Sequence, residues 1–214
     1  AEMVPPQFLK GFVTLSGPSH AEEVITKMTT VVTCASDSES DAIYAQHLFH
    51  NNDYFRVYSS TDLKGVELGG ALKNIFALAS GLIAGKGLGD NARAALITRG
   101  LVEMQKFYEN YGADTGSLFG LTGIGDLIVT CTSPHSRNYQ AGYKIGHGKD
   151  LEETLASMTM VVEGIRTGEA AYKYALEHDL ELPIIEQIYN VLFHNLDPEI
   201  AYKNLFERTR KKEL

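Results

Sequence analysis

Two kinds of hydrophobic pattern divide the chain near residue 60. Before it, short β-rich runs alternate with helical ones. Phe12-Val13-Thr14-Leu15-Ser16 predicts a strand that stops at Gly17-Pro18. Ser19, with Glu22 three residues later, matches a capping box and predicts a helix over 19–27. Residues 30–35 predict a second strand. Ser36-Asp37-Ser38 caps a helix over about 38–50, with Ala42, Ala45, Leu48 and Phe49 as its apolar stripe. Residues 54–58 predict a third strand. This alternation is the rhythm of a parallel α/β sheet. Such sheets are normally covered or extended, so three strands read as the last part of a larger one.

After Ser60 only helical periodicity remains. Thr61-Asp62 caps a long helix over about 62–84, and Gly85-Lys86-Gly87-Leu88-Gly89 loops into a second over 90–111. Further helices are expected near 116–132, 137–146, 150–157, 163–178, 183–195 and 198–208. Pro183 and Pro198 fall near helix starts, where proline is tolerated. The expected fold class is mainly α. Residues 61–214 form an all-α domain, and residues 1–60 are the last strands and helices of a truncated α/β domain.

Composition narrows the function classes. At 214 residues, 44% hydrophobic and 21% charged, the chain is an ordinary globular one. Its net charge of −8 makes it a poor non-specific nucleic-acid binder, while leaving room for a local anion pocket. Cys34 and Cys131 are too few for a disulfide framework, and a reducing cytoplasmic compartment is the simplest reading. No run reaches 18 consecutive apolar residues, so no membrane span is expected. Ala1-Glu2-Met3-Val4-Pro5-Pro6 has no signal pattern, and the absence of an initial Met fits a processed or cut chain.

Lys73 is the most informative residue. Its helical face carries Val66, Gly69, Gly70, Ala77, Ser80, Gly81 and Ala84, a stripe of small residues. Each interior Gly costs about 1 kcal/mol against Ala, which close approach by another group would explain. A lysine projecting from such a face into a cleft is desolvated and usable as an acid/base. The alternative is a lysine that snorkels to solvent. Ser136-Arg137-Asn138 opens a helix; Ser136 as cap, the first N–H groups and Arg137 make an anion site, or simply a capped helix with a surface Arg. Asp126, in Gly123-Ile124-Gly125-Asp126-Leu127, is flanked by apolar residues and needs a partner: a substrate hydroxyl, Lys73, or a helix end it caps. Gly17-Pro18-Ser19 lies at the carboxyl end of a strand, the edge where open α/β sheets bind ligands, or is an ordinary turn. Gly85–Gly89 has neither the Walker nor the G-x-G-x-x-G spacing. His47 and His50 share a helix face near Asp53, but no metal site is expected there. The other histidines are scattered, and Arg208-Thr209-Arg210-Lys211-Lys212 reads as a short solvated charge run.

Five stretches resemble, in order and spacing, the soluble bacterial-type NAD(P)-dependent glycerol-3-phosphate dehydrogenases. They are Leu15-Ser16-Gly17-Pro18-Ser19, Gly65-Val66-Glu67-Leu68-Gly69-Gly70-Ala71-Leu72-Lys73-Asn74, Ala94-Ala95-Leu96-Ile97-Thr98-Arg99-Gly100, Gly120-Leu121-Thr122-Gly123-Ile124-Gly125-Asp126-Leu127 and Ser136-Arg137-Asn138. The resemblance implies a catalytic acid/base at Lys73. It implies a substrate site from Gly17, Ser19, Lys73, Asn74, Asp126, Thr130, Ser136, Arg137 and Asn138. It also implies contacts to NAD or NADP from Ala21, Arg137, Val161 and Glu163, with no metal. The implied substrate pair is dihydroxyacetone phosphate and sn-glycerol 3-phosphate, the latter for phospholipid synthesis, in a protein that can form a homodimer. The departure is at the front: the Gly-rich turn of the Rossmann-type half has no match here, so residues 1–60 are expected to be its remnant and the fragment inactive alone. Two other readings compete. One is a related β-hydroxyacid or sugar-acid dehydrogenase fragment; the other is a non-catalytic dimerisation or regulatory module.

Overall fold

The protein is described here by a computed structural model covering residues 5–51, 53–210 and 212. The readings that rest on Ala1–Val4 and on Lys211 lie outside these residues. The first elements are β1 (Thr14–Ser16), α1 (Ala21–Ile25), β2 (Thr30–Ala35), α2 (Glu39–Phe49) and β3 (Phe55–Ser60). Ten α-helices in all are described, the rest being α3 (Leu63–Gly85), α4 (Gly89–Tyr111), α5 (Asp126–Thr132), α6 (Arg137–Gly146), α7 (Leu151–Ala156), α8 (Glu163–Glu177), α9 (Pro183–Phe193) and α10 (Pro198–Phe206). The fold is mainly α, as the patterning predicts, and every described strand lies before residue 61.

The sheet order is β1-β2-β3. β2 and β3 run parallel, with Val32 beside Val57, and α2 makes their crossover. β1 departs from the expected parallel rhythm and pairs antiparallel with β2, Leu15 opposite Cys34. The connection explains it. α1 has five residues, about 7.5 Å of rise at 1.5 Å per residue, so it does not carry the chain back along the sheet as a crossover must. The chain turns at Gly17 and enters β2 from the same end.

Local capping sets most helix starts. Ser38, Asp62, Ser136 and Asp150 each accept a backbone N–H in the first turn of the following helix. Pro183 and Pro198 occupy first positions. The expected capping box at Ser19 does not form. His20 holds the N-cap position, and the Ser19 hydroxyl donates instead to the Gly17 carbonyl at 3.0 Å. Gly17 has φ +138°, a backbone state that glycine adopts without a Cβ penalty, and it turns Ser19 back on itself.

The expected helix over 116–132 is broken in three. A 3-10 turn spans Thr115–Phe119, a π-helical turn spans Leu121–Gly125, and α5 starts only at Asp126. Gly123 is non-helical at φ −96°, ψ −105°, and a Cβ there would lie 2.2 Å from the Leu118 carbonyl. The glycines let the chain fold against itself, and the break is what places Asp126 at a helix start.

α3 is the axle. It packs against α4, α5, α6, α8 and α9, and against β1 and β2. Leu72, Ile75, Phe76 and Ala79 sit in the main core with Met104, Tyr108, Leu118 and Leu127. The small-residue face does what its composition suggests. Gly69 abuts the Thr122 carbonyl, and Gly81 abuts the Tyr139 carbonyl of α6. By length and composition alone α3 is apolar enough to cross a membrane, and 61% of its apolar window is buried inside this fold. A second, smaller cluster of Val32, Cys34, Ala45 and Val57 lies under the sheet.

Candidate functional site

Three helix starts and one strand end converge on a polar cleft of about 190 Å³. Its lining includes Gly17 and Ser19 after β1, Lys73 and Asn74 from α3, Asp126 and Thr130 from α5, Ser136, Arg137 and Asn138 from α6, and Glu163 from α8. The sequence elements that looked separate are therefore one place. Lys73 does not snorkel freely to solvent: its Nζ is hydrogen-bonded and ion-paired to the Asp126 carboxylate. The Lys73 side chain is 18% exposed and that of Asp126 3%, so the lysine tip reaches the cleft while its partner is enclosed.

Asp126 is held as firmly as it holds. The Thr130 hydroxyl donates to the Asp126 carbonyl at 2.5 Å and lies 3.2 Å from its Oδ1. Asp126 also begins α5, where a carboxylate is favoured by the helix dipole. It is a partner for Lys73 rather than a cap, since Gly125 occupies the N-cap position.

A second network locks the opposite wall. Asn138 donates its amide to Asn74 Oδ1 at 2.9 Å and accepts the Gly164 N–H at 2.8 Å. Asn74 in turn donates to the Gly70 carbonyl and to Glu163 Oε2, each at 3.2 Å. A Cβ on Gly164 would lie 2.5 Å from the Asn74 carbonyl oxygen, so only glycine lets α8 approach α3 this closely. Both asparagines are buried and their polar atoms paired, which fixes the side chains without a mobile element.

Arg137 is the half-exposed cation of the rim, 4.0 Å from Glu163 Oε1. Ser136 beside it is buried and caps α6, its Oγ accepting the Tyr139 N–H at 3.2 Å. A ten-residue helix thus points its N-terminus at the cleft with an arginine in the first turn, a favourable setting for an anion.

Two expected residues fall outside the lining. Ala21 opens α1, and Val161 is 66% exposed just ahead of α8. Three residues not expected as site residues fall inside it: Gly70, from the small-residue face of α3, and His20 and His135. Reading the histidines as scattered missed His20 and His135. Each adjoins a stretch that did stand out, His20 after Ser19 and His135 before Ser136, and that adjacency was the available signal. Elsewhere, His50 Nδ1 accepts the Val57 N–H at 3.2 Å, a structural task within the α2–β3 corner. Among the described residues, no three His, Cys, Asp or Glu side chains cluster as metal ligands.

A sequence model of the NAD-dependent glycerol-3-phosphate dehydrogenase C-terminus matches residues 62–203. A Staphylococcus aureus protein named glycerol-3-phosphate dehydrogenase (NAD(P)+) is 51% identical over 212 residues, covering 99% of this chain and 64% of the relative. The chain thus spans a little under two thirds of the length of that relative. The crystal structure of glycerol-3-phosphate dehydrogenase from Coxiella burnetii superposes with a TM-score of 0.88 at 40% identity, over 92% of this chain and 60% of that one. The yeast enzyme from Saccharomyces cerevisiae gives a TM-score of 0.80 at 26% identity, over 91% of this chain and 59% of that one.

Proposed function

The chain belongs to the NAD-dependent glycerol-3-phosphate dehydrogenase family, and from that membership we propose that its cleft is the substrate and proton-transfer half of the enzyme's active site. The substrate pair is dihydroxyacetone phosphate and sn-glycerol 3-phosphate, interconverted by reversible hydride transfer, the latter feeding glycerophospholipid synthesis. Residues 61–214 form the substrate domain, and residues 1–60 belong to the dinucleotide-binding one. The observation that carries the reading is the Lys73–Asp126 pair together with Arg137 in one cleft.

Each side chain has a task in that chemistry. Arg137 and the first turn of α6 bind the phosphate, a geometry suited to tetrahedral anions. Ser19, Asn74 and Asn138 orient the hydroxyl and carbonyl groups from the walls. As the carbonyl carbon gains hydride, negative charge builds on its oxygen, and Lys73 neutralises and protonates that oxygen. In the reverse direction Lys73 accepts the hydroxyl proton. Asp126 holds the ammonium in place throughout, and Thr130 holds Asp126.

A bound nicotinamide cofactor would supply the hydride. The residues that would face that end of a cofactor are Arg137 and Glu163, half-open at the rim, with Val161 two residues before Glu163 and Ala21 directly after the lining residue His20 in sequence. No stretch of these 214 residues has the G-x-G-x-x-G turn that cradles a dinucleotide pyrophosphate. Turnover by the 214 residues alone is accordingly expected to be negligible.

Calorimetric titration with sn-glycerol 3-phosphate tests the proposal, run on this chain and on Arg137→Ala. Weak binding that the variant loses supports it. Binding by wild type that the variant keeps would remove the phosphate from Arg137. Competition by a β-hydroxyacid as strong as by glycerol phosphate would favour the related hydroxyacid dehydrogenases instead.

A further inference from the structure

The formal charges that these residues bring to the cleft balance one another. Lys73 is neutralised by Asp126, and Arg137 stands 4.0 Å from Glu163. These are the only formally charged residues in the lining, and they sum to zero. Lys73 shares its ammonium with Asp126, whereas the Arg137 guanidinium, 4.0 Å from Glu163, keeps its N–H donors for an anion. Besides Arg137 and the paired Lys73, Asn74 and Asn138, two further lining side chains carry nitrogen donors: His20 and His135.

Their geometry is that of a pair. His20 stands at the N-cap of α1, and His135 in the turn between α5 and α6, immediately before the α6 cap. Their ring centroids are 5.9 Å apart, tilted by 55°. Two N–H···O bonds of about 2.8 Å to different oxygens of one tetrahedral anion bridge a gap of this order. His20 gives the independent sign. Its Nε2 is enclosed and has no hydrogen-bond partner. A ring nitrogen withdrawn from water with nothing to bond is costly, and one at a binding cleft is accounted for when a ligand completes it.

We propose that His20 and His135 form a two-imidazole clamp for the substrate's phosphate, and so help select phosphorylated over unphosphorylated polyols. The proposal rests on the substrate reading above. It adds two donors to the phosphate site, with His135 two residues before Arg137 at the start of α6. An imidazole is suited to the place because it donates an N–H whether neutral or charged.

The test is calorimetry of this chain with sn-glycerol 3-phosphate and with inorganic phosphate, for wild type, His20→Phe, His135→Phe and His20→Gln. The probes share only the phosphate. Each Phe variant is expected to weaken both ligands about tenfold, the loss of one hydrogen bond to a charged group. His20→Gln keeps an N–H donor near the Nε2 position and is expected to recover most of the affinity. His135 lies on an exposed turn, so its variant reads binding even if His20→Phe disturbs α1. Unchanged affinity in both Phe variants, with binding still lost in Arg137→Ala, would overturn the clamp and leave the substrate reading standing. Weakening toward glycerol phosphate but not inorganic phosphate would place the pair on the polyol end and overturn it too. No binding of either probe by wild type would remove both.

Discussion

Among the described residues, Glu103 is the one buried carboxylate outside the cleft, and its protonation matters to the fold. It projects from the middle of α4 and accepts the N–H groups of Ile184 (2.6 Å) and Ile185 (3.1 Å), capping α9 from a neighbouring helix. Burial pushes its pKa up to about 7 from 4.5, against the opposing pull of those two N–H groups, Lys106 and Arg208. A carboxyl whose pKa is raised on folding binds its proton more tightly when folded. Its contribution is therefore full below about 4.5 and is lost as pH rises to about 7. Glu103→Gln has no such titration. Relative to wild type, the variant is expected to gain up to roughly 3 kcal/mol between pH 5 and pH 8, read by urea unfolding at both. Parallel pH profiles in the two chains would refute the assignment. At the cleft, Lys73→Ala carries the sharper functional expectation. In a chain that includes a dinucleotide-binding half, it should cut turnover by about 10²–10⁴-fold while weakening phosphate binding much less. Equal losses would make Lys73 a binding residue.

At the scale of elements, the close packing of α3 and α6 positions half of the cleft. A Cβ on Gly142 would lie 1.9 Å from the Leu78 carbonyl, and one on Gly81 would lie 2.1 Å from the Tyr139 carbonyl. Backbone sits at both points, so neither clash is relieved by a side-chain rotation. Gly142→Ala should push α6 off α3, costing about 1–3 kcal/mol of stability. It should also weaken phosphate binding, because Ser136, Arg137 and Asn138 ride on the start of α6. A denaturation midpoint unchanged from wild type would show that the helices have room to give. This contact also shows what the sequence could and could not reveal. The stripe of Gly69, Gly70 and Gly81 announced that something comes close, and Ser38, Asp62 and Ser136 announced helix starts, because both signals are local. The sense of β1 was hidden, since pairing direction depends on how α1 returns the chain. The break at Gly123 was hidden because hydrophobic spacing runs through it unaltered. The Lys73–Asp126 pair was one of three partners open to Asp126, and the fold selected it. The place of His20 and His135 emerged only when β1, α5 and α6 met.

Across the whole molecule, the apolar interior falls into two clusters of unequal size. The large one centres on α3 and joins α4, α5, α8 and α9 through Ile75, Phe76, Leu78, Met104 and Ile185. The small one is Val32, Cys34, Ala45 and Val57, with Val13 and Phe55 against it. α2 meanwhile turns Tyr44 and Leu48 outward, 70% and 63% exposed. Stability follows buried apolar area, and local opening follows its scarcity. The sheet should therefore open at lower free energy than the helical core. Native-state hydrogen exchange is expected to show the amides of β2 and β3 exchanging well before those of α3 between Leu72 and Leu82. The cleft lies where the two parts meet, with Gly17, Ser19 and His20 on the sheet side and the remaining groups on helices. Opening of the sheet thus withdraws one wall of the site while the Lys73–Asp126 pair persists. Ligand contacting both walls then links them. Glycerol 3-phosphate should slow exchange at β1 and β2 more than at α3, by the factor that binding to the closed form alone confers. Equal protection of sheet and helices without ligand would mean that one cooperative unit spans both clusters.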